Sequence, residues 1–281
     1  MHLIDGKKIA ANIITQVTKL IVEKALEPHL AVVLVGNDPA SEVYVKLKEK
    51  ACRKAGIVFH KYLIDEHESE EKILETITFL NKDPEIDAIL IQLPLPKKFN
   101  QQRVIDAMDY RKDVDGFHPK NIEQYLAGMP QKILPGLSLA IWNLIESTGK
   151  ENYGGKQALI IGKSDAFTEP TKKLLEDQTI HADIAHPNDP ALSKKTREAH
   201  IIVTAIGKPN SITADMVSDG SIIIDVGINK LPDGTIVGDV DFKNVAPKTS
   251  YITPVPGGVG PMTVAMLLYN TTILARERIK N

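Results

Sequence analysis

Five stretches carry side chains whose type and spacing can do chemistry. In Tyr44-Val-Lys-Leu-Lys48, Tyr44 and Lys48 stand four residues apart, the separation that puts two side chains on one face of a helix. A phenol beside an ammonium can polarise a substrate and relay a proton, and a partly desolvated lysine sheds its own proton more readily. A surface lysine beside a half-buried tyrosine has the same spacing. Further on, the apolar run Ile89-Leu-Ile91 meets a polar Gln92 and then Leu-Pro-Leu-Pro96. Prolines cannot continue a sheet ladder, and ligands of open parallel sheets gather beyond the carboxyl ends of strands. Gln92 therefore points to where a site would form.

The third stretch is Lys112-Asp113-Val-Asp115-Gly116-Phe117. In an extended chain its two carboxylates share a face, and Gly116 permits a sharp turn. No third or fourth ligand for a metal lies nearby, so a carboxylate accepting from an N–H pair of a substrate is the more economical reading. A plain Asp–Gly turn is the alternative. The fourth is Leu159-Ile-Ile-Gly162-Lys163-Ser164, an apolar run that ends in Gly and leads to a helix start. Backbone N–H groups and the helix dipole can hold phosphate there, although this is neither G-x-G-x-x-G nor a Walker A loop. The fifth, Pro254 to Pro261, alternates fixed and permissive backbone angles and suggests a loop shaped to let a ligand approach the main chain. The eight His fall into no ligand spacing and Cys52 stands alone, so neither a metal site nor a disulfide is expected.

The elements that must position these residues read as strand and helix in turn. Leu30–Val35, Ala88–Ile91, Ala158–Ile161, His200–Ala205 and Ser221–Val226 are apolar without alternation, the pattern of strands buried on both faces. Between them, Ile9, Ile13, Ile14, Val17, Leu20 and Ile21 form a helical stripe, and Pro39–Ala55 reads as a helix with Pro at its first position and Gly56 past its end. Ser69–Leu80, Leu137–Ser147, Pro170–Asp177 and Met262 to about Ile279 read as further helices, and 119–135 as a connection with one short helix. The expected fold class is α/β, with two domains built on parallel sheets. At 281 residues, two domains also match the length. Lys and Arg number 34 against 36 Asp and Glu, a formal charge of −2. So balanced a chain carries no overall footprint for nucleic acid or an anionic membrane. Its apolar runs are too short for a membrane helix, and a lone Cys fits a reducing, cytoplasmic compartment.

Taken together, these segments resemble the bifunctional methylenetetrahydrofolate dehydrogenase/methenyltetrahydrofolate cyclohydrolase family. The likeness rests on Val35-Gly-Asn-Asp-Pro-Ala-Ser41 with Tyr44 and Lys48, Gln92-Leu-Pro-Leu-Pro96, Lys112-Asp-Val-Asp-Gly-Phe117, Ile224-Asp-Val-Gly-Ile-Asn229, Gly238-Asp-Val-Asp241, and Thr253 to Thr263. The resemblance implies a catalytic folate-binding domain over 1–120, completed by the helix 262–281, and a Rossmann-like NAD(P)-binding domain over 136–256. It implies catalytic roles for Lys48, Tyr44, Gln92 and Asp115, and substrate contacts from Ser41, Tyr44, Pro256, Gly257 and Gly258. Gly162, Lys163, Ser164, Ile228 and Thr263 would meet the cofactor, NADP or alternatively NAD. The implied partners are a folate substrate and a second copy in a homodimer. The implied activities are oxidation of 5,10-methylene-tetrahydrofolate and hydrolysis of 5,10-methenyl-tetrahydrofolate. A cyclohydrolase without its redox reaction, or a folate-binding paralogue without turnover, are the alternatives.

The departures from the family's pattern cluster on the cofactor side. Lys163 stands where the family usually has an Arg that can clamp a ribose 2′-phosphate, Thr168 where it has a third Gly, and Pro187 where a phosphate-binding Ser often follows a His. Lys lacks the planar fork of Arg.

Overall fold

The computed structural model describes residues 1–280, the side chains at 40, 279 and 280 excepted. The chain begins with β1 (His2–Leu3), α1 (Gly6–Glu23), β2 (His29–Val35), α2 (Pro39–Ala55), β3 (Val58–Ile64), α3 (Glu70–Lys82) and β4 (Ala88–Ile91). Five helices follow in two groups, α4 (Gln101–Asp106), α5 (Pro119–Leu126), α6 (Gly136–Glu146) and α7 (Lys150–Tyr153) before β5 (Gln157–Gly162), and α8 (Asp165–Asp177) after it. Then come β6 (His181–Ala185), α9 (Leu192–Glu198), β7 (Ile201–Ala205), β8 (Ile222–Asp225), β9 (Asn229–Lys230) and β10 (Ile236–Val237). The last elements are α10 (Phe242–Val245), β11 (Tyr251–Ile252) and α11 (Val259–Lys280). They form two compact units, one of residues 12–136 with 264–281, the other of residues 1–11 with 137–263.

In the unit holding residues 12–136, three parallel strands lie in the order β3-β2-β4. The uninterrupted apolar run of β2 is explained by its two covered faces. Leu30, Val32 and Leu34 pack with Val17 and Ile21 of α1, Val45 and Cys52 of α2, and Leu267 and Leu268 of α11. Ala31, Val33 and Val35 pack on the opposite face with Ile73, Ile77 and Leu80 of α3. Alternate side chains of a strand point to opposite faces, so a strand between two helical layers has no position for a polar residue.

The other unit is a six-stranded sheet, β1-β11-β8-β7-β5-β6, with every pairing parallel. A two-stranded antiparallel β9–β10 ribbon stands apart from it. Residues 1–11 join this unit because His2 and Leu3 pair with Tyr251 and Ile252, which a reading of residues 1–120 as one block does not anticipate. The sheet's ends also recruit short, poorly patterned strands. His181–Ala185 carries His and Asp and is not among the apolar runs of the sequence, yet it completes the edge beside β5.

One helix starts earlier than its sequence pattern suggests. The segment expected from Pro170 is helical from Asp165, with Pro170 inside it and buried. A proline in a helix interior removes one i→i−4 bond, and burial of Phe167, Pro170, Leu174 and Leu175 on the sheet face offsets that loss.

Candidate active site

Helix α2 places Tyr44 and Lys48 one turn apart on a common face. Its start is set locally. Asp38 caps the first turn by accepting from the Ser41 N–H at 2.7 Å, Pro39 occupies that turn, and Gly56 ends the helix at φ 85°. Ser41 is buried in this turn, at 5% exposure, whereas Tyr44 keeps 37% of its surface open.

Lys48 reaches from α2 to the end of β4, where its Nζ donates to Gln92 Oε1 at 2.9 Å. Gln92 is oriented for this. Its backbone N–H donates to the Val33 carbonyl, and its Nε2 to the Leu93 carbonyl at 2.9 Å. The amide oxygen is thereby left facing the lysine. Burial holds the Lys48 pKa below the ordinary lysine value, while the charges of Asp115 and Cys52 pull it back up. Burial likewise pushes Asp115 up to about 6 against the attraction of Lys48, and the like charge of Asp113 adds to the rise. An amine that gives up its proton easily is thus coupled to a carboxylate that gains one near neutral pH. Cys52, one turn beyond Lys48, is fully buried and its thiol is pushed up to about 12 by burial. It is a packing residue.

The two acids of 112–117 line one small pocket with Phe117 and His118, but they are held differently. Asp113 is 2% exposed and turns back on its own loop, accepting from the N–H groups of Gly116 at 3.1 Å and His118 at 2.7 Å and from Asn121 Nδ2 at 3.0 Å. The chain bends at Gly116, whose φ is +74°, and this brings the N–H groups of Gly116 and His118 back to the Asp113 carboxylate. Asp115 alone is left as a candidate for substrate.

The remaining sequence-flagged residues lie in the unit of the six-stranded sheet. Gly162 ends β5, and a Cβ there would come within 2.9 Å of Phe167 and Thr168. Lys163 and Ser164 follow, both exposed, and the Ser164 side chain does not cap α8. Ile228, beyond β8, is 51% exposed. In the 254–261 loop, Val255–Pro256 is cis and Gly257 has φ 119°. Thr263 turns its Oγ1 back to the Gly260 carbonyl at 2.7 Å.

Two buried acids brace these loops, and the sequence motifs that carry them announced no role. Asp225 Oδ1 accepts from the N–H groups of Gly227 and Asp239, and its Oδ2 from Val240. Its own N–H donates to Thr253 Oγ1 at 2.8 Å, tying β8 to the start of the 254–261 loop. Asp239, fully buried, gathers the N–H groups of Ile206, Gly207 and Lys208 at 2.5–3.3 Å, and Asn229 Nδ2 at 3.0 Å. The Thr204 hydroxyl also donates to it at 3.4 Å, so Asp239→Ala leaves five buried or half-buried donors without their acceptor. It is expected to cost at least about 4 kcal/mol, read as a lower midpoint in urea unfolding.

Two family models divide the chain between them. The catalytic domain of tetrahydrofolate dehydrogenase/cyclohydrolase matches residues 4–115, and its NAD(P)-binding domain matches residues 135–279. The chain belongs to the tetrahydrofolate dehydrogenase/cyclohydrolase family. Among its relatives, the bifunctional protein FolD of Campylobacter hominis is 44% identical over 283 residues, covering all of this chain and 99% of that one. That of Wolinella succinogenes is 44% identical over 99% of this chain and 98% of its own. The crystal structure of the bifunctional FolD enzyme of Campylobacter jejuni superposes with a TM-score of 0.94 at 42% identity, covering 99% of each chain. The Trypanosoma brucei enzyme, solved with NADP cofactor and an inhibitor, gives 0.93 at 28% identity, covering all of this chain and 99% of that one.

The family's dinucleotide fits the residues at the end of β5. A glycine held tight against α8, followed by the N-terminus of a 13-residue helix, provides the backbone donors that a pyrophosphate takes. Exposed Lys163 and Ser164 add a cation and a hydroxyl. Asp165 in the first turn and Glu169 in the second are also exposed, so α8 presents negative charge at the same end.

Proposed function

We propose that this enzyme oxidises 5,10-methylene-tetrahydrofolate with NADP and hydrolyses the resulting 5,10-methenyl cation to 10-formyl-tetrahydrofolate, using Lys48, Tyr44, Gln92 and Asp115. The observation that carries the reading is the 2.9 Å bond from Lys48 to Gln92 in a desolvated setting coupled to Asp115. NADP supplies a hydride acceptor for the one-carbon bridge. The chain's own residues do the rest. Asp115, ionised above pH 6, accepts from an N–H pair of the pterin and fixes its orientation. Lys48, held by Gln92, has its pKa lowered by burial, which eases loss of its proton beside the methenyl cation. As water adds to the electrophilic carbon, the amine takes the proton water loses. The carbon–N5 bond then breaks, N5 receives a proton, and the formyl group remains on N10. Tyr44, one turn away and partly exposed, is suited to pack against the folate and to share in that proton relay. Ser41, Pro256, Gly257 and Gly258 are proposed folate contacts. Gly162, Lys163, Ser164, Ile228 and Thr263 are proposed cofactor contacts.

The test is a pair of spectrophotometric assays, one following nicotinamide reduction by methylene-tetrahydrofolate with NADP or NAD, the other following loss of methenyl-tetrahydrofolate. Turnover in both supports the bifunctional reading, hydrolysis alone means a degenerate dinucleotide site, and turnover in neither overturns it. Lys163 offers a 2′-phosphate one ammonium rather than a fork. Lys163→Arg is therefore expected to tighten NADP about fivefold while leaving NAD within about twofold; calorimetry that finds both cofactors shifted equally removes Lys163 from the 2′-phosphate.

We further infer a homodimer located in the cytoplasm. Supporting the dimer, β3 is an edge strand of its sheet and carries Leu63 at 63% exposure, an edge that a second copy would cover. Light scattering coupled to gel filtration reads the mass directly. Supporting the cytoplasm, the one thiol is buried and free, and no helix among the described residues is long and apolar enough to cross a membrane.

A further inference from the structure

We propose that Asn270, on α11, and Asp113 are positioning residues that set Asp115 for its substrate, so that the C-terminal helix shapes the active site from behind. This rests on the reading of Asp115 as the pterin-binding carboxylate. A side chain is aimed by the two peptide planes that flank its Cα, and here both are held. The plane before Asp115 carries the Val114 carbonyl, which accepts from Asn270 Nδ2 at 2.9 Å. The plane after it is held at both ends. Its carbonyl, that of Asp115, accepts from the Gly136 N–H at 3.0 Å, and its N–H, that of Gly116, donates to the Asp113 carboxylate at 3.1 Å.

The second strut of this frame is also tied to Asn270. Its Nδ2 donates to the Leu134 carbonyl at 3.0 Å, which locks 134–136 beside the turn. There Gly116, at φ +74°, lies so close that a Cβ would stand 2.8 Å from Pro135 Cα. One amide group on α11 therefore holds two segments that lie 156 and 136 residues away in sequence. Asp113 is itself anchored by the His118 N–H and by Asn121 Nδ2, and Asn121 also donates to the Tyr110 carbonyl at 2.7 Å.

Asn270 is a costly residue to keep for packing alone. It is fully buried in a helix whose neighbours Leu267, Leu268, Ile273 and Leu274 are apolar and buried. The two groups it faces are carbonyls, which only accept, so its NH2 must point at them. Its Oδ1 is left buried without a partner. An unmatched buried acceptor weighs against stability, and the arrangement makes sense where the geometry it imposes is used. The charges that face Asp115 are the Lys48 ammonium from α2 and the Asp113 carboxylate from its own turn; α11 contributes only the neutral amide of Asn270.

The experiment is a double-mutant cycle on methenyl-tetrahydrofolate hydrolysis, with kcat and KM measured for Asn270→Ala, Asp115→Asn and the pair. Asn270→Ala alone is expected to lower kcat/KM about ten- to hundredfold, the scale of a misplaced catalytic group. In the Asp115→Asn background the same change is expected to cost less than about twofold, because its target is already gone. Equal losses in both backgrounds, or full activity in Asn270→Ala beside an impaired Asp115→Asn, overturn the positioning role while leaving the reading of Asp115 in place. Full activity in Asp115→Asn alone overturns that reading and this inference with it. If Asn270→Ala does not fold, Asp113→Asn carries the test. It is run in the same cycle, with a loss of kcat/KM that shrinks below about twofold in the Asp115→Asn background, and an undiminished loss there counts against the frame.

Discussion

Lys48→Met is expected to lower kcat for methenyl-tetrahydrofolate hydrolysis about 10³-fold, within the range that loss of a positioned proton carrier produces. The variant should fold as well as the parent. Met has nearly the length of Lys, and the site is one where burial already disfavours the ammonium, so an apolar side chain relieves a desolvation cost. Two things are lost, the donor to Gln92 Oε1, which sits at a half-buried position, and the attraction that steadies the Asp115 carboxylate, which in the variant takes up its proton at higher pH instead of staying charged. Steady-state loss of the methenyl chromophore, with circular dichroism as the control on folding, decides the matter. Activity within tenfold of the parent would mean that the proton leaves by another route and that Lys48 is a bystander.

Asp115→Ala is expected to act on binding more than on turnover. A carboxylate accepting from an N–H pair contributes about 1.5–3 kcal/mol per charge-assisted bond. KM for the folate should therefore rise at least about tenfold, and more where both bonds count. The pH dependence carries a sharper signature. The Asp115 carboxyl sits at about 6 in the folded protein, raised above the ordinary carboxylate value of about 3.9. It is therefore ionised, and able to accept, only as pH climbs through 6. In the parent, KM is expected to worsen as pH falls below that point, and in Asp115→Ala the dependence should flatten. The lysine responds too. Asp115 raises the Lys48 pKa, so removing the carboxylate drops it further, and the limb of kcat that follows loss of the lysine proton moves to lower pH. A KM unchanged by the substitution across pH 5 to 8 would remove Asp115 from the substrate.

Asp115 and Lys48 also illustrate how the two residues divide the problem. Each charge is unfavourable where it sits, and each is made tolerable by the other. Such mutual dependence is common where a site needs a group whose protonation changes near working pH. The structural acids elsewhere differ in their partners, although burial pushes Asp225 up to about 6 as well. Asp225 and Asp239 spend their lone pairs on backbone N–H groups, and what they hold is loop geometry at the carboxyl ends of β7 and β8.

What the residues alone determined is considerable. The apolar runs at Leu30–Val35 and Ala158–Ile161 could be read as doubly buried strands, because a strand between two helical layers excludes polar side chains on both faces. The four-residue step from Tyr44 to Lys48 and the Pro39 and Gly56 boundaries of α2 are local signals, and local geometry decides them. The Gln92 motif was visible because it follows the end of β4 with prolines beside it, and the Asp115 motif because two acids and a Gly make a turn signature. Tertiary structure alone decided which acid of the pair at 113 and 115 is available, since an Asp–Gly turn can bend either way until a donor such as the His118 N–H captures one carboxylate. It also decided the strand at 181–185, whose polar side chains are acceptable only at a sheet edge, and the stacking of His29 on His60, which lie 31 residues apart and meet because β2 pairs with β3. Asn270 belongs to the same class. In the sequence it stands beside Thr271 and Thr272 with nothing to mark it out, and the carbonyls it serves, those of Val114 and Leu134, come within reach only when the C-terminal helix packs across the sheet. Hydrogen bonds reach about 3 Å, and a partner more than a hundred residues away enters that range only through the fold.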